Sequence, residues 1–326
     1  MTSEIAVVGP IPRDTITTHE GKIIKKYGGI TNPVIALSHL LEEEGKVNCI
    51  SNIRIKDKQP IIDIFSPYSN IDVSGLNDEE DKGTVIQLKF LDQNRRVEKQ
   101  TACMNPILPK HVEPYLHSDV FVFVPITDFE VSIETLKFIK EKSDSIIIFD
   151  AHGPTNCMSI DGNRHQKFWV DRDVWLPYID VLKMNLEEAH CCWFKTEYDL
   201  SELDNHSESE DFLDEFGAHV LSQGTKVLYV TLDSRGCVAY KKVDGEVQKE
   251  FIKSVPVEQV IDTTGCGDSF AAGLAYGYMK NPSDMVYAAF FANAMGALRT
   301  QGTTFEVFKP LDYTEKLIEH TYDVSL

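Results

Sequence analysis

Short uninterrupted apolar runs alternate along this chain with longer segments in which apolar positions recur every three or four residues. Ile5-Ala6-Val7-Val8 is the first run, stopped by Gly9-Pro10. Others stand at Val47–Ile50, Val120–Val124, Ile146–Phe149, Val181-Leu182 and Val227–Val230. Each is the length of a strand buried on both faces. Between them, Pro33–Glu44 carries Val34, Leu37, Leu40 and Leu41 near one face, which predicts a helix. Asn32 stands at the expected N-cap, Pro33 at the first helical position and Gly45 at the close. Ser132–Lys142 shows a second helical pattern. Continuous strands alternating with helices predict an α/β fold with a mainly parallel sheet covered on both faces.

Two segments break the rhythm. Asp14–Tyr27 holds two short, mostly polar strand-like pieces around His19-Glu20-Gly21, and Thr84–Phe90 with Arg95–Thr101 reads as a hairpin around Asp92-Gln93-Asn94. On pattern alone they are either surface decoration or a small second sheet.

Composition narrows the function classes. The 326 residues include 32 Lys+Arg against 51 Asp+Glu, a formal charge of −19, which argues against a general nucleic-acid binder or a protein held on anionic lipid. A small anionic ligand needs only a local pocket and stays possible. Nine acidic residues and no Lys or Arg lie in Glu197–Glu215, read as a solvated loop and helix face. Seven cysteines without a C-x-x-C pair fit reduced thiols in a cytoplasm better than a disulfide framework or zinc ribbon. The first residues show no basic start and no apolar run, so no secretory leader is expected. Met285–Leu298 is too short to cross a bilayer and reads as a buried helix. The histidines show no metal-ligand spacing, and Cys191-Cys192 read as packed inside a helix that begins near Glu187.

The chemistry concentrates at Ile261–Phe270. Strand-like Val255–Ile261 leads into Gly265-Cys266-Gly267, and Gly267–Lys280 continues as a helix with Phe270, Ala271, Leu274, Ala275 and Tyr278 at helical spacing. Unpaired amides at a helix start, beside the positive end of the dipole, attract an anion, and glycines let a phosphate approach the backbone. The segment lacks the Gly-Lys-Ser/Thr of a Walker A loop and the third glycine of a dinucleotide fingerprint. Its peculiarity is Asp268, a carboxylate inside an anion-binding turn. The turn alone fits two readings: a base that takes a proton from a hydroxyl attacking phosphate, or an ordinary helix N-terminus favouring Asp.

Asp262-Thr263-Thr264-Gly265-Cys266-Gly267-Asp268-Ser269-Phe270 resembles the C-terminal signature of the ribokinase-like (PfkB) carbohydrate kinases, Asp-Thr-x-Gly-Ala-Gly-Asp-x-Phe, with Cys266 for the usual Ala. Gly28-Gly29 followed by Asn32 is similar to the family's N-terminal signature. Asn185-Leu186-Glu187-Glu188 resembles its Asn-x-x-Glu motif, and Thr231–Gly236 its nucleotide turn. Asn293 followed by Gly302-Thr303 resembles its final helix and loop. There are departures. Two residues rather than three separate Gly29 from Asn32, Asp233 replaces a glycine, and Asp150-Ala151-His152-Gly153 stands where sugar kinases carry Asp-Pro-Asn.

The resemblance implies a three-layer α/β/α fold in one domain over residues 1–326, with a β-sheet lid near 12–28 and 83–103. It implies an ATP-dependent kinase acting on a hydroxyl of a small carbohydrate or polyol. A nucleoside kinase of the same fold and a catalytically silent ligand-binding homologue are the alternatives. Asp268 is implied as the base and Gly265, Cys266 and Gly267 as the anion hole, with Cys266 acting through its backbone. Asp14, Gly29 and Asn32 are implied to bind the acceptor. Asn185 and Glu188 are implied to order Mg²⁺ and phosphate through water, with Glu188 the metal-side residue. Thr231, Gly236 and Asn293 fall at the nucleotide, Asn293 being equally a satisfied core amide. Asp262 and Thr264 are implied as a monovalent-cation site in some relatives, and lid sheets often pair between subunits, which implies a homodimer.

Overall fold

The computed structural model describes residues 3–91, 96–194 and 209–326. The apolar runs form a ten-stranded sheet. Its path runs Glu246–Lys253, Gly236–Val243, Val227–Thr231, Val181–Asn185, Ile146–Asp150, Val120–Phe123, Ser3–Val8, Gly45–Asn52 and Ile71–Asp72, with Leu76–Asn77 also on Gly45–Asn52. The pairings are parallel from Val227–Thr231 onward, and the two strands at the other edge are antiparallel.

Strand alternation sends side chains to two separate cores. Ile5, Val7, Val120 and Val122 face the layer that holds the helices Thr31–Leu41, Cys266–Lys280 and Met285–Arg299. Ala6, Val8, Phe121 and Phe123 face the opposite layer, with Trp169, Trp175 and Phe216. Ser3–Val8 pairs on one side with Gly45–Asn52, which follows it in the chain, and on the other with the much later Val120–Phe123. The chain therefore changes direction across the sheet at this strand, and ligands gather outside the carboxyl ends of strands at such a point.

The two irregular segments form a separate four-stranded sheet in the order Ile23–Tyr27, Arg13–Thr17, Val85–Phe90, Arg96–Ala102. Ile16, Ile86 and Leu88 make its small core, with Ile24 and Phe90 against them. It extends from the carboxyl edge of the large sheet, since Arg13–Thr17 follows Ser3–Val8 after a short turn.

Three local expectations are corrected. The first helix covers Thr31–Leu41, so Asn32 lies in its first turn and is not the cap. Gly29, at φ +57, turns the chain early, and the Thr31 and Asn32 amides already reach the carbonyls of Gly28 and Gly29. Glu42–Glu44 is a 3₁₀ turn, and Gly45 opens the next strand instead of closing the helix. Val255–Ile261 is not a strand, because it lies past the edge strand, and the Ile261 amide bonds the carbonyl of Thr300. Most of the acidic stretch falls outside the described residues. Within them, Glu210 pairs with Arg235, and Asp214 accepts from Lys249 and Tyr240. Cys191 and Cys192 are buried as expected. Among the described residues no helix is long and apolar enough to cross a membrane.

The helix that opens at Cys266 lies with its backbone against its neighbour. A Cβ on Gly273 would stand 2.3 Å from the carbonyl oxygen of Phe291, and one on Gly277 would stand 2.6 Å from Ala288 Cα. Backbone atoms cannot swing aside. Gly273→Val is expected to destabilise the fold by about 1–3 kcal/mol or more through overpacking, read as a lower midpoint in thermal unfolding. An unchanged midpoint would show that the two helices can separate freely.

Candidate active site

The turn Thr263–Gly267 crosses the carboxyl edge of the sheet. Gly265, at φ +83, sits just before the Cys266–Lys280 helix, in a conformation that L side chains rarely adopt. A Cβ there would meet Asn32 Nδ2 at 2.5 Å, so Gly265 and Asn32 are in contact. Asp268 lies in the helix's first turn and is half-buried. Its carboxyl is pushed up to about 6, first by burial and then by the neighbouring Asp150 charge, against the pull of Lys183, His152 and Arg299. Burial likewise raises the Cys266 thiol, keeping it protonated and a poor nucleophile.

Asp14 sits in the second sheet, opposite Lys26, and is 5% exposed. Its Oδ2 packs on Gly28, where a Cβ would come within 2.2 Å. Burial pushes this carboxyl up to about 7; Lys26 opposes the shift and Asp268 adds to it. The Asp268 charge is therefore felt at Asp14. A Cβ on Gly29 would strike the Pro10 carbonyl oxygen at 2.3 Å, which only glycine tolerates. The structure thus gathers Asp14, Gly29, Asn32 and the Gly265–Asp268 turn at one place.

Asn185 and Glu188 form a reciprocal cap on the helix Leu186–Cys192. Asn185 Oδ1 accepts from the Glu188 amide at 2.7 Å, and Glu188 Oε2 accepts from the Asn185 amide at 2.8 Å. Glu188 is no surface carboxylate: it is 3% exposed, and its Oε1 bonds His152 Nδ1 at 2.8 Å. Arg164 reaches His152 Nε2 at 3.1 Å. A guanidinium only donates, so Nε2 accepts and the Nδ1 proton points to Glu188. Both Glu188 oxygens are engaged, which suits a magnesium ion carried on phosphates and held through water, the usual habit of that ion. Among the described residues no three or more His, Cys, Asp or Glu are grouped to hold a metal directly.

One strand further along the sheet, Thr231 ends its strand beside Asn185. Asp233 adopts φ +52, a left-handed conformation in which glycine is at ease, so the departure at this position keeps the turn. Gly236 is required by a neighbour: a Cβ would stand 2.0 Å from the Ile252 carbonyl oxygen. Asn293 spends both amide hydrogens, on the Lys253 carbonyl at 3.0 Å and the Tyr322 hydroxyl at 3.1 Å. This is the arrangement of a satisfied core amide.

The monovalent-cation residues do not fit a free ion. Asp262 Oδ2 receives Lys26 at 3.1 Å and Arg299 at 3.3 Å, and Oδ1 receives the Thr264 amide at 2.9 Å. Burial works to raise this carboxyl, but Lys26, Thr264 and Arg299 outweigh it and hold it below the usual range.

Lys183 went unnoticed in the motif reading. It is paired in register with Asp150 on the adjacent strand, and its Nζ lies 2.7 Å from Asp150 Oδ2. Both share the sheet face of Ile148 and Val181, beneath the turn, and a Cβ on Gly267 would stand 3.1 Å from Nζ. Burial disfavours the Lys183 charge, but Asp150, Glu188 and Asp268 more than restore it, so the ammonium persists at neutral pH. The available signal was a cation inside an apolar strand, Val181-Leu182-Lys183-Met184. His152 and Arg299 were missed as well.

The Asp268 shift predicts how stability depends on pH. Its folded value, about 6, exceeds the ordinary 3.8, so the folded state holds this proton more tightly than the unfolded chain. The protonated form's advantage is lost as pH rises through that interval. Asp268→Asn is therefore expected to unfold at a higher temperature than wild type above pH 6, with the difference shrinking toward pH 4. A variant less stable than wild type at pH 8 would show that this carboxylate contributes attraction on balance.

Comparison with known proteins bears on the fold and the family. A protein of Pyrococcus horikoshii named as a sugar kinase is 26% identical over 327 residues, covering 91% of this chain and 90% of the relative. Arabidopsis thaliana ribokinase, complexed with ribose and ATP, aligns with a TM-score of 0.72 at 17% identity over 98% of this chain and 99% of that chain. Burkholderia thailandensis nucleoside kinase in complex with inosine gives 0.69 at 18% identity over 99% and 100%. At such identities these structures establish a shared fold, the ribokinase-like α/β arrangement. The model of the pfkB family carbohydrate kinases matches residues 15–305, and the chain belongs to that family.

Proposed function

We propose that this sugar-kinase-family protein transfers the γ-phosphoryl group of ATP to a hydroxyl of a small carbohydrate or polyol. The observation that carries this reading is Asp268. It is a carboxylate in the first turn of a helix, joined to a glycine turn at the helix's positive end in which the Cys266 amide donates to the Thr263 carbonyl at 3.2 Å, and it lies near enough to Asp14 for its charge to raise that carboxyl. Asp14 accepts hydrogen bonds from the acceptor's hydroxyls, with Gly29 and Asn32 beside it. Asp268 takes the proton of the attacking hydroxyl. The Gly265 and Gly267 amides and the Lys183 ammonium face the negative charge that spreads over the moving phosphoryl; the Cys266 amide, expected to join them, already donates to the Thr263 carbonyl. Thr231 and Gly236 border the nucleotide, with Asn185 and Glu188 ordering its phosphates. Glu188 would hold a magnesium ion carried on those phosphates, and the ion would offset part of their charge. The second sheet serves as a lid over the acceptor and keeps water from the phosphoryl group.

Asp268 must be ionised to act, so kcat/KM is expected to fall as pH drops through about 6, the value to which burial lifts its carboxyl. Asp268→Asn is expected to lower ATP-dependent phosphoryl transfer by about 10²- to 10⁴-fold while nucleotide still binds. The assay is coupled ADP release with D-ribose, D-fructose, myo-inositol and inosine as acceptors. Near-normal turnover in the variant would refute the base, and inosine alone among the acceptors would replace the carbohydrate reading with a nucleoside kinase. Nucleotide binding without ADP release on any acceptor would point to a silent homologue.

A further inference from the structure

The Met285–Arg299 helix ends by delivering a guanidinium into the protein interior. Arg299 is 2% exposed. Its Nε donates to Asn32 Oδ1 at 2.9 Å, Nη1 to the Gly302 carbonyl at 2.6 Å and Nη2 to Asp262 Oδ2 at 3.3 Å. The backbone closes around this contact, because the Ile261 and Asp262 amides both donate to the Thr300 carbonyl. One side chain thus ties the acceptor-side helix, the segment leading into the anion turn and the loop after its own helix.

A monovalent cation at this place would need oxygen ligands from the Asp262 carboxylate and a nearby carbonyl. Those oxygens are taken by nitrogen donors. A small ion at Asp262 would also lie at contact range from a buried guanidinium and from the Lys26 ammonium, two like charges in a weakly screened setting. We infer that Arg299 is a resident cation, standing beside Asp262 and the Gly302 carbonyl where a free monovalent ion would otherwise bind, and that phosphoryl transfer runs without one. The clause on turnover rests on the kinase reading above; the occupancy of the place by Arg299 does not.

Consequences follow for both stability and turnover. A ligand that binds only the folded state raises its unfolding midpoint. Wild type is therefore expected to unfold at the same temperature in KCl as in tetramethylammonium chloride at matched ionic strength, and a potassium-specific rise would overturn the inference. In Arg299→Ala the vacated oxygens are open, so a potassium-specific rise should appear. Its absence would show that no cation place underlies the guanidinium. Arg299→Gln, which removes the charge but keeps most of the volume, answers the same question if the alanine variant fails to fold.

For turnover, displacing Asn32 against the anion turn in Arg299→Ala is expected to lower kcat/KM about a hundredfold. Partial recovery is expected from potassium or dilute guanidinium, with no effect of either on wild type. A loss that neither cation relieves would reduce Arg299 to a structural residue. The midpoints need no acceptor, so they decide the occupancy even if no alcohol in the panel is phosphorylated.

Discussion

Five carboxylates meet at the carboxyl edge of the large sheet: Asp14, Asp150, Glu188, Asp262 and Asp268. Charges of one sign cannot crowd together away from water unless cations are interleaved or protons are retained. Both solutions are present. Lys183 neutralises Asp150 within the sheet, and Lys26 and Arg299 share Asp262. His152 presents its Nδ1 proton to Glu188. Among the described residues Asp14 and Asp268 have no such ion-pair partner, and burial lifts their carboxyls to about 7 and about 6; burial raises Asp150 too, with Lys183 opposing the shift.

This division explains what could be read from the chain in advance. The strand–helix alternation was legible because a parallel sheet covered on both faces needs unbroken apolar runs, and the alternation within Val120–Phe123 does send its side chains to two cores. The second sheet was only half legible, because two mostly polar breaks in the rhythm fit surface decoration as well as a small sheet until the family resemblance is added. The turn at Gly265–Asp268 was legible because its chemistry is local, packed into a few consecutive residues. Asn32 as a cap was misjudged, since the bend at Gly29 starts the helix earlier than the proline suggested.

The counterions were not legible, and the reason is distance along the chain. Lys183 meets Asp150 through strand pairing, and Arg299 meets Asn32 across 267 positions. No spacing rule joins such partners; only the completed fold does. Arg299 reads in the sequence as a basic residue closing an apolar helix, where it would suit the dipole without further purpose. His152 lies in a polar loop with no ligand-like spacing, and its relation to Glu188 needs the carboxyl ends of two strands to be brought side by side. The family motifs mark the candidate site residues, whereas the residues that keep those motifs electrically tolerable are scattered.

The bare backbone contact at Gly273 and Gly277 has a bearing on how the molecule works. With no side chain as a cushion, the helix carrying Asp268 cannot slide or roll over its neighbour, and that neighbour ends in Arg299. The two helices form an anvil of fixed shape beneath the Gly265–Asp268 turn. Whatever yields when substrates arrive and products depart must be sought on the opposite wall, in the thin sheet that carries Asp14.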